Sequence, residues 1–99
     1  MTIYFYLTDY EQTNIAVFSN MVSNPFNVGD VISLCVNNIT PKEIDEFSED
    51  TKNEILEKIN ELENQFNFKS IKIIKETKQI DINFLQESEI NIYYLCTFI

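Results

Sequence analysis

The chain of 99 residues contains no histidine, no arginine and no tryptophan, and it has one glycine and two prolines. Each absence excludes something. Without histidine, the usual general base at neutral pH and the commonest metal ligand are both missing. Without arginine, the planar fork that grips phosphate or guanine with two parallel hydrogen bonds is missing too. The scarcity of glycine and proline argues against low-complexity and disordered classes. A single glycine also leaves no room for a glycine-rich phosphate loop. No apolar run approaches the length of a membrane span. The start, Met1-Thr2-Ile3-Tyr4-Phe5, lacks the basic stretch and small-residue cleavage site of a secretory leader. The expectation is a cytoplasmic protein that binds neither membranes nor nucleic acid directly.

What is present is enough for one domain spanning residues 1–99. Apolar residues make up 44% of the chain, including eight phenylalanines and five tyrosines, which suffices for a packed core. The two cysteines, Cys35 and Cys96, lie within apolar runs and show no metal-binding or redox spacing. They read as buried, reduced thiols packed as small hydrophobes. No cofactor or metal is expected.

Alternation predicts strands over Thr2–Thr8, Ile15–Ser19 and Val31–Asn38, with a hairpin connection near 9–14. Gly29 precedes the third strand, where a left-handed turn residue is needed. Thr40-Pro41-Lys42-Glu43 carries a cap, a proline at the first helical position and a returning glutamate, which predicts a short helix near 41–47. Ser48-Glu49-Asp50-Thr51 is a second start, for a long helix near 49–67. One continuous bent helix is the alternative. Ile55, Ile59, Leu62 and Phe66 form its apolar stripe, and Asn67 is a candidate left-handed terminator. Three further strands are expected, at 69–76, 79–85 and 89–99, joined by short turns at Thr77-Lys78 and Gln86-Glu87-Ser88. The fold class is therefore α+β, in the order βββ–α–βββ. It would be an antiparallel sheet or small open barrel covered by one long helix, which a short helical turn precedes.

Charge is segregated along the chain. The net charge is −9; residues 42–68 contribute −6, whereas residues 69–78 contribute +3. On the long helix Asp50, Glu54, Glu57 and Glu61 recur at spacings of four, three and four, which places them in one stripe facing away from the apolar one. Carboxylates one turn apart lie roughly 6 Å from each other, close to the spacing of phosphates along a nucleic-acid strand. An ordinary solvated helix face is the competing reading.

On the first strand Tyr4 and Tyr6 occupy the face opposite Ile3, Phe5 and Leu7. Tyr93 points the same way on the last strand if Ile90, Ile92 and Phe98 face the core. Pairing of these two strands would gather the tyrosines into one patch of the kind used at interfaces. Lys69, Lys72, Lys75 and Lys78 cannot share one face of a straight strand, and they read as guards of a sheet edge. Asp9 and Glu11 read as turn chemistry rather than a catalytic pair.

No set of residues assembles the roles a catalytic site requires, so the expectation is a protein that is not an enzyme. The leading reading is an acidic interaction protein that binds and occludes a basic protein partner, such as a nuclease or a nucleic-acid-guided effector of the CRISPR type. It would act as an anti-defence inhibitor or an immunity protein, through partial mimicry of nucleic acid. Asp50, Glu54, Glu57 and Glu61 would carry the charge, with Tyr4, Tyr6 and Tyr93 as anchors. The alternative is a small ligand-binding or homo-oligomeric module, a homodimer included, built on the tyrosine-bearing sheet face.

Overall fold

Strict alternation at the N-terminus is realised as a strand with one buried face. In the computed structural model, which describes residues 1–9, 13–37 and 43–99, β1 (Thr2–Leu7) buries Ile3, Phe5 and Leu7. The Asp9 carboxylate accepts from the Thr13 backbone N–H at 2.9 Å and from its hydroxyl at 2.5 Å. Glu11 lies outside the described residues. β2 (Asn14–Phe18) then pairs antiparallel with β1.

Gly29, at φ +96°, takes the left-handed conformation that turns the chain into β3 (Val31–Ser33). β3 covers three residues of the eight expected.

The chain divides into two compact units, Met1–Ile32 with Ser70–Ile99, and Ser33–Lys69. The second holds a 3₁₀ turn (Ile44–Glu46) and α1 (Glu49–Phe66). Extended backbone at Phe47 and Ser48 separates the two, so one continuous helix is not formed. The Ser48 hydroxyl caps α1 by accepting from the Thr51 backbone N–H at 3.3 Å. The other expected cap, at Thr40, Pro41 and Lys42, lies outside the described residues. The helix ends one residue differently from the sequence reading. Asn67 is extended, and Phe68 adopts the left-handed conformation at φ +62°. The Asn67 side chain is used elsewhere, accepting from the Val36 N–H at 3.0 Å, while Phe68 and Lys69 bond to Leu34 in ladder fashion. Of the apolar stripe, Phe66 alone is buried; Ile55 and Ile59 are half-buried and Leu62 is exposed.

β4 (Ser70–Ile82) and β5 (Ser88–Phe98) form one long antiparallel hairpin. The expected turn at Thr77-Lys78 is absent, and these residues pair with Tyr93 and Ile92 in the middle of the ladder. Neither is a turn former, and the eleven residues of β5 offer a continuous partner. The order is therefore βββ–α–ββ. The chain reverses instead at Asn83–Glu87, where the Asn83 carboxamide oxygen accepts from the N–H groups of Leu85 and Glu87 at 2.9 and 3.1 Å.

The strands lie in the order β2-β1-β5-β4-β3 in one curled, mixed sheet, an open half-barrel. It is not antiparallel throughout. The N-terminal and C-terminal hairpins join through β1 and β5, which run parallel, with Ile3, Phe5 and Leu7 opposite Ile92, Tyr94 and Cys96. Short turns fix the direction of consecutive strands only, so they left this central pairing open. β4, flanked by β3, is not the sheet's edge strand.

The core of the sheet-bearing unit comprises Ile3, Phe5, Leu7, Ile71, Ile73, Ile92, Tyr94 and Cys96. Phe5, Phe18, Phe26 and Tyr94 contact one another through edge-on and tilted rings 4.8–6.2 Å apart. The Tyr94 hydroxyl accepts from the Asn24 amide at 2.5 Å. It lies 3.0 Å from both the Phe26 carbonyl and the Glu76 carboxylate, two acceptors sharing its one proton. Burial, the largest effect, and the Glu76 carboxylate both hold this phenol above its usual range. Cys96 is buried as expected, and burial pushes its thiol up to about 11. Cys35, two residues past a strand that ends early, is exposed instead. No helix among the described residues is long and apolar enough to cross a membrane.

Candidate interaction surfaces

Register gathers the three tyrosines. The parallel pairing sets Tyr4 opposite Tyr93, and their rings stack with centroids 4.8 Å apart and planes 8° from parallel. Tyr6 joins at 6.3 Å from Tyr4 and 6.1 Å from Tyr93. All three are half-buried, on the sheet face opposite the core. Partial burial, reinforced by Tyr4, Asp81 and Tyr6, raises the Tyr93 phenol above its usual range.

A bulge adds lysines to this face. Ile73 pairs with Cys96 and Lys75 with Leu95, which leaves Ile74 as the extra residue. On a straight strand Lys75 would share the buried face of Ile73. The bulge shifts the phase by one, so Lys75 and Lys72 both lie on the tyrosine face, beside Leu95 and Thr97. Neither lysine makes an ion pair among the described residues. The straight-strand reading missed this because one inserted residue inverts every side chain beyond it. Lys78 sits on the other face, 3.6 Å from Glu76. A groove of about 430 Å³ opens beside Tyr93, lined by Tyr6, Lys75, Thr77, Gln79 and Leu95.

α1 presents a different surface. Asp50, Glu54, Glu57 and Glu61 are all exposed, and none makes an ion pair among the described residues. Lys52 is turned away, bound at 3.1 Å to Asp45 of the 3₁₀ turn. That hydrogen bond and charge hold its ammonium above the usual lysine range. The last turn of α1 contains no basic residue. Carboxylates near that negative helix end lose stability, by a few tenths of a kcal/mol each at exposed sites. Within the stripe, Asp50 lies in the first turn, where a carboxylate is favoured, and the cost to the helix comes from like-charge repulsion between stripe members one turn apart.

The third surface was not anticipated. β1 begins to pair with β5 at Thr2 opposite Asn91, and beyond that point β4 and β5 continue as a two-stranded arm. Ile80 and Ile82 on this arm are 63% and 67% exposed, and Phe84 in its turn is 93% exposed. Acids flank them. Asp81 accepts from the Gln79 and Asn91 amides, and Glu89 accepts from the Thr2 hydroxyl at 3.5 Å. The alternation Ile80, Ile82, Phe84 was visible in the sequence, but it reads equally well as core.

Among the described residues no three His, Cys, Asp or Glu side chains converge on a metal position. Comparison with protein-family models, curated proteins and solved structures returns no match.

Proposed function

We propose that this chain is a non-catalytic acidic interaction protein that binds a basic protein partner and blocks its basic surface. The observation that carries this reading is the stripe Asp50, Glu54, Glu57 and Glu61, exposed along α1 without counter-ions among the described residues. A row of carboxylates roughly 6 Å apart offers the lysines and arginines of a nucleic-acid-binding groove the charge spacing they already recognise. The net charge of −9 adds a long-range field, which can raise association rates by about 10–10³-fold. The arm bearing Ile82, Phe84 and Leu85 supplies exposed apolar surface, which a charge stripe alone lacks. A nuclease or nucleic-acid-guided effector is the partner class that fits. In that setting the protein acts as an anti-defence inhibitor or an immunity protein.

The test is charge reversal with a salt series. The triple variant Glu54→Lys, Glu57→Lys, Glu61→Lys and the parent chain are used to capture proteins from host extract between about 50 and 300 mM salt, where screening changes most. Partners of the parent should be basic, should fall away as salt rises, and should be lost from the variant. Capture of the same proteins by both chains at every salt concentration sinks the reading.

A further inference from the structure

The tyrosine face carries a second surface, separate from the acidic helix in both charge and residues. Tyr4 covers one face of the Tyr93 ring from the β1 side of the sheet. β4 flanks β5 on the other side, so the second face of Tyr93 is turned toward β4. Its direct opposite there is Thr77, a short side chain that leaves the space above it open. The groove lies at this place, and its volume of about 430 Å³ is within the range of small-molecule sites. The Tyr93 ring is held flat by its stack with Tyr4 and need not be ordered on binding.

Charge at the groove is polarised. Lys75 lines it, and the Ile74 bulge places Lys72 on the same face, both lysines free of ion pairs among the described residues. The carboxylates of Asp81 and Glu89 lie toward the opposite end, and both are already hydrogen-bonded. Thr77 and Gln79 supply polar groups between the two ends.

We propose that the groove between Tyr93 and β4 binds a small planar aromatic anion, with its ring on the free face of Tyr93 and its phosphate or carboxylate at Lys75. The ring chemistry follows from the preformed aromatic face, the anion from Lys75 in the groove, with Lys72 adding positive charge farther along the same face. The size limit follows from the rest of the molecule. A polyanion long enough to run past Gln79 meets Asp81 and Glu89 and the field of a chain with net charge −9. The occupant is therefore a single nucleotide or an aromatic acid, not a nucleic-acid strand.

Two-dimensional amide NMR with adenosine 5′-monophosphate as the probe tests this directly, with adenosine, ribose 5-phosphate and 4-hydroxybenzoate as further arms. The mononucleotide should shift resonances of Lys75, Thr77, Gln79 and Tyr93. Adenosine and ribose 5-phosphate should each bind more weakly, because each lacks one of the two contacts. The tighter of the mononucleotide and the hydroxybenzoate identifies whether phosphate or carboxylate is the natural anion. Tyr93→Leu, on the face away from the core, should weaken binding by about tenfold, as loss of an aromatic stack does. Lys75→Gln should weaken the anionic probes severalfold and leave adenosine unchanged. Absence of groove shifts with any probe at millimolar concentration overturns the proposal. So does equal binding of ribose 5-phosphate and the mononucleotide, or a Lys75→Gln variant that binds every probe as the parent does.

Discussion

In the proximal half of the β4–β5 hairpin, Ile71, Ile73, Ile92 and Cys96 are at most 3% exposed. In the distal half Ile80, Ile82 and Ile90 lie on the same sheet face, yet Ile90 at 47% is the least exposed of them. Residue type and alternation do not separate the two halves. What separates them is what lies alongside and above. The proximal half has β1 as a neighbour and Phe26 packed against the Phe5 and Tyr94 rings, whereas beyond Asn91 β4 and β5 pair with each other. Alternation reports a strand with an apolar face; burial requires a second layer, which the strand's own residues do not specify.

The largest expected effect tests that contrast head on. Ile73→Ala should cost about 2–5 kcal/mol, the usual range for truncating a buried isoleucine. Ile80→Ala should stay within about 0.5 kcal/mol, as exposed substitutions do. Urea unfolding followed by circular dichroism measures both. A cost above about 2 kcal/mol for Ile80→Ala would break the comparison, because it would mean that the distal face is covered in solution.

Cys96 sharpens the same contrast chemically, against Cys35. Burial raises the Cys96 thiol from 9.0 to about 11. Between those two values the unfolded chain releases the thiol proton and the folded chain keeps it. The unfolded state then binds fewer protons, so stability falls as pH rises through this window and is unaffected by this group below it. The full rise is worth about 2–3 kcal/mol. Cys96→Ala should remove that part of the decline between pH 9 and 11 in thermal unfolding scans. In the folded protein a thiol reagent at pH 8 should modify exposed Cys35 readily and Cys96 only on unfolding. Equal modification rates would contradict the burial of Cys96.

How much of this was legible in the sequence depends on range. Local signals carried well: Ser48 caps α1, Gly29 turns left-handed, and the alternation of β1 separates Ile3 from Tyr4 as expected. The tyrosine cluster was legible only as a conditional, because it required β1 and β5 to be neighbours. Their parallel direction was not, since no short turn connects them. The Ile74 bulge was invisible for a different reason. Lys72-Ile73-Ile74-Lys75 contains no glycine or proline to mark an insertion, yet that insertion decides which face Lys75 occupies. The helix stripe was read correctly as exposed because helical periodicity alone places it.

The smallest expected effect concerns the arm by itself. Ile82→Thr replaces one exposed β-branched residue with another of the same strand preference, so it should leave the unfolding midpoint within about 0.5 kcal/mol of the parent. Its effect should appear in association instead. Ile80, Ile82, Phe84, Leu85 and Ile90 together make an exposed apolar patch, and such patches promote contact with other molecules. Repulsion between chains of net charge −9 opposes self-association at low salt and fades as screening grows. The parent chain should therefore gain apparent mass in light scattering as salt rises toward about 1 M, where the screening length falls to about 3 Å, and Ile82→Thr should gain less. An identical salt response from the two chains would show that Ile82 takes no part in association.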